Sequence, residues 1–398
     1  MIRAANLLLR RAPEPSLAVD DLVREARRKT GLHDFGEESF REPLGVLVES
    51  IEREARLHPL GRRITRGRLV DALANRLRVH ATVVQHPEIL DLPVEAPLVI
   101  AGVQRTGTTL LHRLMASHPG LRALASWEAL HPAPPDRRSH LGKDPRIRRA
   151  RLAERGLRLL APEFFAIHPV QALAPEEDVL LLDLSFLSTV PEATMRVPTY
   201  SRWLESQDST PAYAYMKRLL QLLWWQRGTE APPGRWVLKT PHHLEWLDAL
   251  FAVFPDACVV QTHRDPAVTL ASFCSMIAHG RAVFSDEVDR HEIGRDWCRK
   301  VHRMVERATA TRDRVGPESF VDVHYRDLVD DPIDQIRRIA ERTKLPVSAD
   351  AERRLRDARA ENPQHKHGRH RYRLADYGLD RTEVTRVFGA YCTRFDVR

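Results

Sequence analysis

Cysteine is scarce in this chain, and long uncharged apolar runs are missing. Four cysteines occur among 398 residues, and no two of them form a CxxC pair. Their scatter argues against a disulfide framework and indicates reduced, mostly buried thiols in a reducing compartment. The best candidate for a membrane span, VLLLDLSFLSTV, is short and contains Asp183. We therefore expect a cytoplasmic protein without a transmembrane segment.

A glycine-rich loop lacks the lysine that its spacing leads one to expect. Residues 102–109, GVQRTGTT, have the glycine spacing of G-x-x-x-x-G-K-[ST], but Thr108 stands where the phosphate-binding lysine belongs. A cation occurs earlier in the loop, at Arg105. The apolar run LVIAG precedes the loop and LLHRLMASH follows it, as expected of a buried strand and a helix. The pattern predicts an anion site at a helix N-terminus, and a tight capping turn is the alternative.

The overall composition is that of an ordinary globular protein with a basic surplus. Charged residues make up 29% and hydrophobic residues 43% of the chain. Lysine and arginine together number 62 against 54 acidic residues, which gives a formal net charge of +8. This surplus favours an anionic partner, such as a polyanionic cofactor, an anionic membrane or a nucleic acid. Composition alone does not choose among them.

Strands and helices alternate along much of the chain, which predicts an α/β fold with a central parallel sheet. Residues 1–95 are expected to form a helical N-terminal arm, and residues 96–398 the α/β domain. Residues 132–235 fit the alternation poorly and are interpreted as a helical insertion on the acceptor side. Besides the loop region, three segments have the strand–helix pattern: RWVLKTPHHLEWLDALFAVFP, ACVVQTHRDPAVTLASFCSM and SFVDVHYRDLVDDPIDQIRRIAERT.

A second candidate anion site lies in HRDPAVTLAS. Arg264 ends a predicted strand, and Ser272 follows eight residues later on the next helix. Ligands of open α/β sheets bind at the carboxyl ends of strands, so these two side chains are placed to hold one phosphate. The alternative is that Arg264 simply pairs with Asp265 or another nearby acid. Two anion sites on neighbouring strand–helix units suggest a nucleotide with phosphates at separate positions.

With both elements in this order, the sequence resembles the sulfotransferases that use 3′-phosphoadenosine 5′-phosphosulfate (PAPS). Their loop pattern [KR]-[ST]-G-T-T corresponds to residues 105–109, and their arginine–serine element corresponds to Arg264 and Ser272. GVQRTGTTLLHRLMASHP is closest to the bacterial, tyrosylprotein and heparan types. The resemblance implies a P-loop-like three-layer fold, PAPS as donor, 3′-phosphoadenosine 5′-phosphate (PAP) as product and no metal. PAPS has no γ-phosphate, which accounts for the missing lysine.

The resemblance also implies roles for individual residues. Lys239 in VLKTPHH corresponds to a second cation that, with Arg105, stabilises charge on the leaving oxygen during in-line transfer. Tyr325 in HYRDL matches a tyrosine near the adenosine. Arg369, beside KHG (366–368), is an imperfect counterpart of an arginine-lysine-glycine element. The remaining cofactor-binding residues are expected to be Arg105, Thr106, Gly107, Thr108, Thr109, Arg264 and Ser272.

Two kinds of residue compete for the base that takes the proton from an acceptor hydroxyl. A glutamate after the loop helix serves in the tyrosylprotein and heparan types, and Glu128 lies near that place. A histidine serves in the cytosolic small-molecule type, and His242 and His243 lie near its place. We favour Glu128, keep His243 as the alternative, and regard Glu176 and Glu177 as weaker candidates.

Other functions find less support. His263-Arg264-Asp265 looks like a kinase HRD, but Leu270 stands where the asparagine is required and no DFG follows it in the sequence. The histidines of HKHGRHRYR have no standard metal spacing. A catalytically inactive PAP-, PAPS- or polyanion-binding protein is the alternative to an enzyme. The expected partner is a small-molecule, lipid or carbohydrate hydroxyl acceptor rather than a nucleic acid, and the oligomeric state stays open.

Overall fold

The structure is a computed structural model, and it describes residues 1–135, 144–167, 170–228, 234–361 and 372–397. A parallel sheet of five strands lies at its centre. The strands are β1 (Leu98–Gly102), β2 (Leu121–Ala123), β3 (Arg235–Lys239), β4 (Cys258–His263) and β5 (Phe320–His324).

Helices surround the sheet in three groups. The N-terminal group comprises α1 (Ile2–Leu9), α2 (Val19–Thr30), α3 (Arg41–Glu54) and α4 (Pro59–Gln85). Between β1 and β3 lie α5 (Thr108–Ala116), α6 (Ser126–Leu130), α7 (Pro145–Leu160), α8 (Pro162–Ile167), α9 (Val179–Leu182), α10 (Val190–Thr194), α11 (Pro198–Leu204) and α12 (Thr210–Gln226). The last group comprises α13 (Leu247–Val253), α14 (Pro266–Arg281), α15 (Arg290–Val315), α16 (Tyr325–Asp330), α17 (Pro332–Arg342), α18 (Ala349–Glu361), α19 (Arg381–Val387) and α20 (Gly389–Arg394).

The strand order is β2-β3-β1-β4-β5, and every neighbouring pair is parallel. β1 therefore lies between β3 and β4, and the register places Gly102 beside Thr262 and Ile100 beside Lys239. The predicted α/β class and central parallel sheet are confirmed. The carboxyl ends of β1, β3 and β4, which carry the predicted site residues, meet at one edge of the sheet.

Alternation along β1 explains the layered architecture. Leu98 and Ile100 belong to a hydrophobic cluster with α5 and α17, whereas Val99 and Ala101 belong to a larger cluster on the opposite face. Successive side chains of a strand point to opposite faces, so a fully apolar strand needs cover on both. The result is three layers: helices, sheet and helices.

The N-terminal arm is helical, as predicted, and its apolar residues join the larger cluster. Leu22, Leu44 and Leu73 are fully buried in that cluster together with residues of β3 and α12. The described part of 132–235 is mostly helical before β3, with an irregular stretch that includes residues 171–178. Whether the arm or the insertion is a separate unit stays a prediction. Among the described residues, no helix combines the length and the apolarity that a bilayer crossing requires.

Strand β2 was not predicted. It is three residues long, at the edge of the sheet, and pairs Leu121 with Arg235 and Ala123 with Val237. Its sequence, LRA, is too short for an alternating or continuous apolar pattern to appear. Only pairing with β3 identifies it as a strand.

Candidate functional site

The loop between β1 and α5 requires both of its glycines. A Cβ added to Gly102 would lie 2.0 Å from Thr262 Oγ1 on the neighbouring strand. Gly107 has φ +90°, a left-handed conformation that favours glycine, and a Cβ there would meet Leu328 at 2.9 Å and Tyr325 at 3.2 Å. Gly107 is the residue that precedes α5. The loop backbone is therefore drawn close to β4 and α16 as it enters the helix.

Arg105 joins the two predicted anion-binding elements. Its Nε donates a hydrogen bond of 3.0 Å to Ser272 Oγ on α14. Its backbone carbonyl accepts a hydrogen bond of 2.9 Å from Arg264 Nη1. Arg105 itself is exposed and has φ +70°, an uncommon value for a residue with a side chain. Arg264 and Ser272, which are 159 and 167 positions from Arg105 in the sequence, thus both contact this one loop residue.

The threonines of the loop divide into buried and exposed groups. Thr106 Oγ1 lies 2.6 Å from the carbonyl of Val103 and 2.5 Å from Thr262 Oγ1. Thr106 is fully buried, so its hydroxyl holds β1 and β4 together rather than facing a ligand. Its membership of the cofactor-binding set stays a prediction. Thr108 is buried at the start of α5 and Thr109 is exposed there.

Tyr325 lies beside the predicted 3′-phosphate arginine. The Arg264 guanidinium carbon is 3.8 Å from the centre of the Tyr325 ring, a stacking distance for a cation on an aromatic face. The same ring borders Gly107. Arg264, Tyr325 and the glycine loop at residues 102–109 therefore form one continuous surface, and their role in cofactor binding stays a prediction.

Lys239, at the end of β3, is held by two consecutive acids. Its Nζ donates a hydrogen bond of 2.6 Å to Glu177 Oε1, and its backbone N–H donates one of 2.8 Å to Asp178 Oδ1. Glu177 Oε2 also lies 3.3 Å from Thr240 Oγ1. The Lys239 side chain is 4% exposed and that of Glu177 is 22% exposed. The pair is thus a partly buried cation and carboxylate, with the carboxylate the more accessible of the two.

His243 is fully buried, which argues against its predicted role as a base. Its Nδ1 lies 2.8 Å from the Tyr213 hydroxyl, and its Nε2 lies 2.8 Å from Asp178 Oδ2, at an angle poor for a hydrogen bond. Burial raises the pKa of Asp178, but the neighbouring His243 and backbone N–H donors lower that pKa by more, so it falls below its ordinary value. Both ring nitrogens of His243 thus face protein groups rather than an acceptor.

His242 is also enclosed. It is 2% exposed, its Nδ1 lies 3.2 Å from Thr189 Oγ1, and its ring stacks on Trp246 at 4.3 Å. Burial, reinforced by the nearby His243 and Lys300, holds the pKa of His242 well below its usual value. The ring is therefore neutral at physiological pH. These contacts are those of a packed histidine.

Glu128 binds Arg227. Both carboxylate oxygens accept hydrogen bonds from the Arg227 guanidinium, the shortest being 2.6 Å. One oxygen also accepts the backbone N–H of Ala125 at the start of α6. Glu128 is 3% exposed, and its described contacts include none of the loop residues or Lys239. The structure thus gives Glu128 a capping and ion-pair role and does not bring it together with the other predicted residues.

His112 is a buried group near Lys239 that the sequence analysis did not select. It lies on α5, is 1% exposed, and its Nε2 has no partner among the described residues. Burial, followed by the Lys239 charge, lowers the pKa of His112 to about 3. Its position in the helix, four residues after Thr108, was visible in the sequence, but its neighbour on β3 was not.

The C-terminal part of the predicted site is described only in part. Arg369 and the histidines at 365, 367 and 370 lie outside the described residues. Desolvation lowers the pKa of the Arg105 guanidinium, and Tyr372, just beyond the residues named above, opposes this shift. Where the structure describes the chain, it shows no group of three His, Cys, Asp or Glu residues placed to hold a metal ion. Metal independence stays a prediction.

Comparisons with known proteins identify the family. Residues 97–349, well over half of the chain, match the model of the sulfotransferase family. The chain belongs to the sulfotransferase family. The matched segment contains the glycine loop at residues 102–109, Lys239 and the Arg264–Ser272 element, and it begins one residue before β1.

Solved structures of this family have the same fold. Sulfotransferase STF9 from Mycobacterium avium superposes with a TM-score of 0.87 at 32% identity, covering 97% of this chain and 98% of that one. STF1 from Mycobacterium tuberculosis H37Rv gives 0.82 at 35% identity, covering 94% and 98%. An omega-hydroxy-beta-dihydromenaquinone-9 sulfotransferase, Stf3 of Mycobacterium bovis, is 25% identical over 294 residues. That alignment covers 66% of this chain and 64% of Stf3.

Proposed function

We propose that this protein transfers a sulfuryl group from PAPS to the hydroxyl group of an acceptor molecule. One observation carries the proposal: Arg105 links the phosphate loop to Ser272 through its side chain and to Arg264 through its carbonyl. A ligand with anionic groups at two separated positions fits such a joined pair of sites. Membership of the sulfotransferase family supports the same donor class.

The donor's 5′ end would lie at the N-terminus of α5. Backbone N–H groups there are oriented toward an anion, and the positive end of the helix dipole favours negative charge. Gly107 allows the loop to pass close to Leu328 and Tyr325, because a Cβ there would meet both side chains. Arg105 supplies a permanent charge and Thr109 an exposed hydroxyl at the same place. Arg264 and Ser272 would bind the 3′-phosphate, with Tyr325 beside them.

We infer that Glu177 accepts the acceptor's proton. The acceptor oxygen would form a bond to sulfur while the bond from sulfur to the 5′-phosphate oxygen breaks, and the hydroxyl proton would pass to the Glu177 carboxylate. Lys239, 2.6 Å from that carboxylate, would stabilise negative charge on the leaving oxygen. Positioning and electrostatics would supply most of the acceleration, as in phosphoryl transfer. Glu128, the choice from sequence, stays a prediction, but its bidentate pairing with Arg227 favours Glu177.

The acceptor is proposed to be a lipid or another small molecule with a hydroxyl group. The name of Stf3 places its own acceptor among hydroxylated menaquinones, and we extend only the chemical class to this chain. Glu177 belongs to the helical insertion, residues 132–235. Because the acceptor hydroxyl would have to reach Glu177, we expect this insertion to contact the acceptor.

The donor is tested by thermal shift. PAP should raise the melting temperature, because a ligand that binds only the folded state stabilises it by about 2.7 kcal/mol at a hundredfold excess over its Kd. ADP and Mg-ATP should raise it much less. Equal stabilisation by Mg-ATP would count against PAPS as donor.

Activity is tested separately by incubating host lipid and metabolite extracts with PAPS and searching for products that gain a sulfo group by mass spectrometry. The enzyme should form such products, and an Arg105→Ala variant should not. PAP binding without any product, across extracts and acceptors, would instead favour the inactive binding protein.

A further inference from the structure

The outer surface of helix α7 carries an unusual arrangement of arginines and leucines. Arg148, Leu152, Arg155 and Leu159 follow one another at spacings of four, three and four residues, which places them along one side of the helix. Both leucines are 60% exposed, and both arginines are exposed. We refer to these four residues as the Arg-Leu stripe. The two leucines thus give a strongly charged helix surface an apolar component.

The opposite side of α7 is well anchored, so the stripe lies on a helix held in place. Ala150 is buried there, and Leu157 packs against the main hydrophobic cluster. Arg146 is buried, bonds Asp144, and donates to the carbonyl of Ala133 at 2.9 Å. The helix is therefore fixed by its inner face and presents the outer one to the surroundings.

The charge of α7 is strongly positive and partly uncompensated. The helix has six arginines and a single acid, Glu154. Arg158 pairs with Glu154 at 2.9 Å, and Arg149 pairs with Asp71 at 3.4 Å. Three arginines of α7 form no ion pair with any residue in the described ranges, namely Arg148, Arg151 and Arg155. These three flank or belong to the stripe.

We propose that the Arg-Leu stripe is a docking surface for a bilayer containing anionic phospholipid. Such a bilayer offers phosphate groups for the arginines and, just beneath them, an apolar layer for the leucines. A nucleic acid offers phosphates but no apolar partner for Leu152 and Leu159 along its backbone. Charge complementarity and the exposed leucines together therefore favour the bilayer.

The position of α7 connects this surface to the candidate site. Glu154 Oε2 accepts the backbone N–H of Ala172 at 3.0 Å, and the adjacent Leu173 is 55% exposed. Glu177 follows Ala172 by only five residues. Docking would thus bring the segment that carries Glu177 to the membrane surface. The docking itself does not depend on the proposed reaction and can be tested without it.

The test is co-sedimentation of the full chain with vesicles. One set consists of phosphatidylcholine and the other of equal parts phosphatidylcholine and phosphatidylglycerol. The protein should bind the anionic vesicles and bind the neutral ones at least about tenfold less, because arginines gain from an anionic surface. Equal partition into both, or no binding to the anionic vesicles, would overturn the proposal.

Two variants separate the leucine and arginine contributions. Leu152→Ser with Leu159→Ser should lower the partition coefficient on anionic vesicles about tenfold while leaving heparin binding unchanged. Arg148→Gln with Arg151→Gln and Arg155→Gln should lower both. All of these positions are exposed, so melting temperatures should stay near that of the parent. If the leucine variant binds vesicles as well as the parent, the stripe is not inserted and the proposal fails.

Matched controls locate the effect on α7. Leu90→Ser removes an exposed leucine flanked by Glu88 and Asp91 and should leave vesicle binding unchanged. Leu7→Ser with Leu8→Ser removes the exposed leucines of α1, next to Arg10. If this α1 variant abolishes vesicle binding and the α7 variants do not, the docking surface lies on α1 and the proposal is wrong.

Discussion

The two sides of β1 are built in contrasting ways. Toward β4, Arg105, Arg264 and Tyr325 are exposed or half-buried and surround a tight glycine loop. Toward β3, Lys239 and its partner Asp178 are buried and bonded to residues far away in sequence. We call these the loop side and the lysine side.

The contrast fits the roles that we propose for the two sides. A nucleotide's phosphates can be held by backbone N–H groups and by arginines that stay partly hydrated, since arginine keeps its charge in nearly any setting. A lysine that acts on a reacting oxygen needs a fixed position and a low-dielectric setting, so it needs buried partners. The residues proposed to bind the donor therefore lie near the surface of this site, whereas Lys239 of the proposed catalytic pair lies deeper and Glu177 is partly exposed beside it.

The largest expected effect concerns the lysine side. Glu177→Gln keeps the size of the side chain but removes the proton acceptor, so turnover under saturating PAPS should fall about 10²–10⁴-fold. PAP affinity should remain nearly unchanged. Both are measured on protein whose melting temperature has been checked.

Two neighbouring glutamates serve as comparisons for that variant. Glu176→Gln changes the adjacent acid and should be mild. Glu128→Gln should lower the melting temperature, because it breaks the pairing with Arg227. Its effect on turnover should be much smaller than that of Glu177→Gln. Loss of turnover in the Glu128 variant at an unchanged melting temperature, with Glu177→Gln still active, would return the base to Glu128.

A smaller effect is expected on the loop side. Arg264→Ala should weaken PAP binding by roughly 1.5–3 kcal/mol, because it removes a charge-assisted hydrogen bond to the 3′-phosphate. Adenosine 5′-phosphosulfate, which lacks that phosphate, should be affected much less in the same calorimetric titration. Arg264→Lys keeps the charge, so its PAP affinity should lie between those of the parent protein and Arg264→Ala. An equal loss for both ligands would mean that Arg264 acts only by supporting the Arg105 carbonyl.

The loop side should also be intolerant of a single methyl group. Gly102→Ala places a Cβ against Thr262 and should lower the free energy of unfolding by about 1–3 kcal/mol. Gly45→Ala, inside α3 with no atom within 4 Å of the added Cβ, is the matched control and should raise it by roughly 0.5–1 kcal/mol. Chemical denaturation measures both. Similar values for the two variants would show that the loop relaxes freely.

The smallest expected effect is a change in pH dependence on the lysine side. His112 has its pKa lowered to about 3 in the folded protein, so the unfolded chain binds an extra proton between about pH 6.5 and 3. Stability should therefore fall as the pH drops through that window, by up to about 1.4 kcal/mol per pH unit from this residue. His112→Gln should flatten the slope of unfolding free energy against pH from 6.5 to 5.5. The exposed His33→Gln is the control, and an equal flattening there would contradict this origin.

The loop side was largely predictable from the sequence, because its signals are local. Arg105 and its glycines stand within eight residues, and Arg264 and Ser272 within nine. The strands that carry them are apolar runs long enough to recognise. Local patterns did not indicate that the Thr106 hydroxyl forms a hydrogen bond with the Thr262 hydroxyl, 156 positions away in the sequence.

The lysine side was predictable only in part, because its partners are distant. The position of Lys239 on a strand was foreseen, but Glu177 is 62 positions away and was ranked below Glu128. Glu128 stood closer to the expected place in sequence, and nothing local reveals its pairing with Arg227, 99 positions on. The burial of His243, which argues against a role as base, was equally hidden from local patterns. Packing between distant segments, rather than spacing, selects the residues here.

The adjacent acids at 177 and 178 have a consequence for evolution and for engineering. One acid bonds the Lys239 side chain and the other its backbone, so the two tasks are one residue apart in sequence. A one-residue shift of this segment against β3 would place either Glu176 and Glu177, or Asp178 and Val179, at the two positions. Chimaeras that swap acceptor specificity between relatives should therefore place their second junction before Glu177. Such a junction keeps both acids on the same side as the strand that they contact.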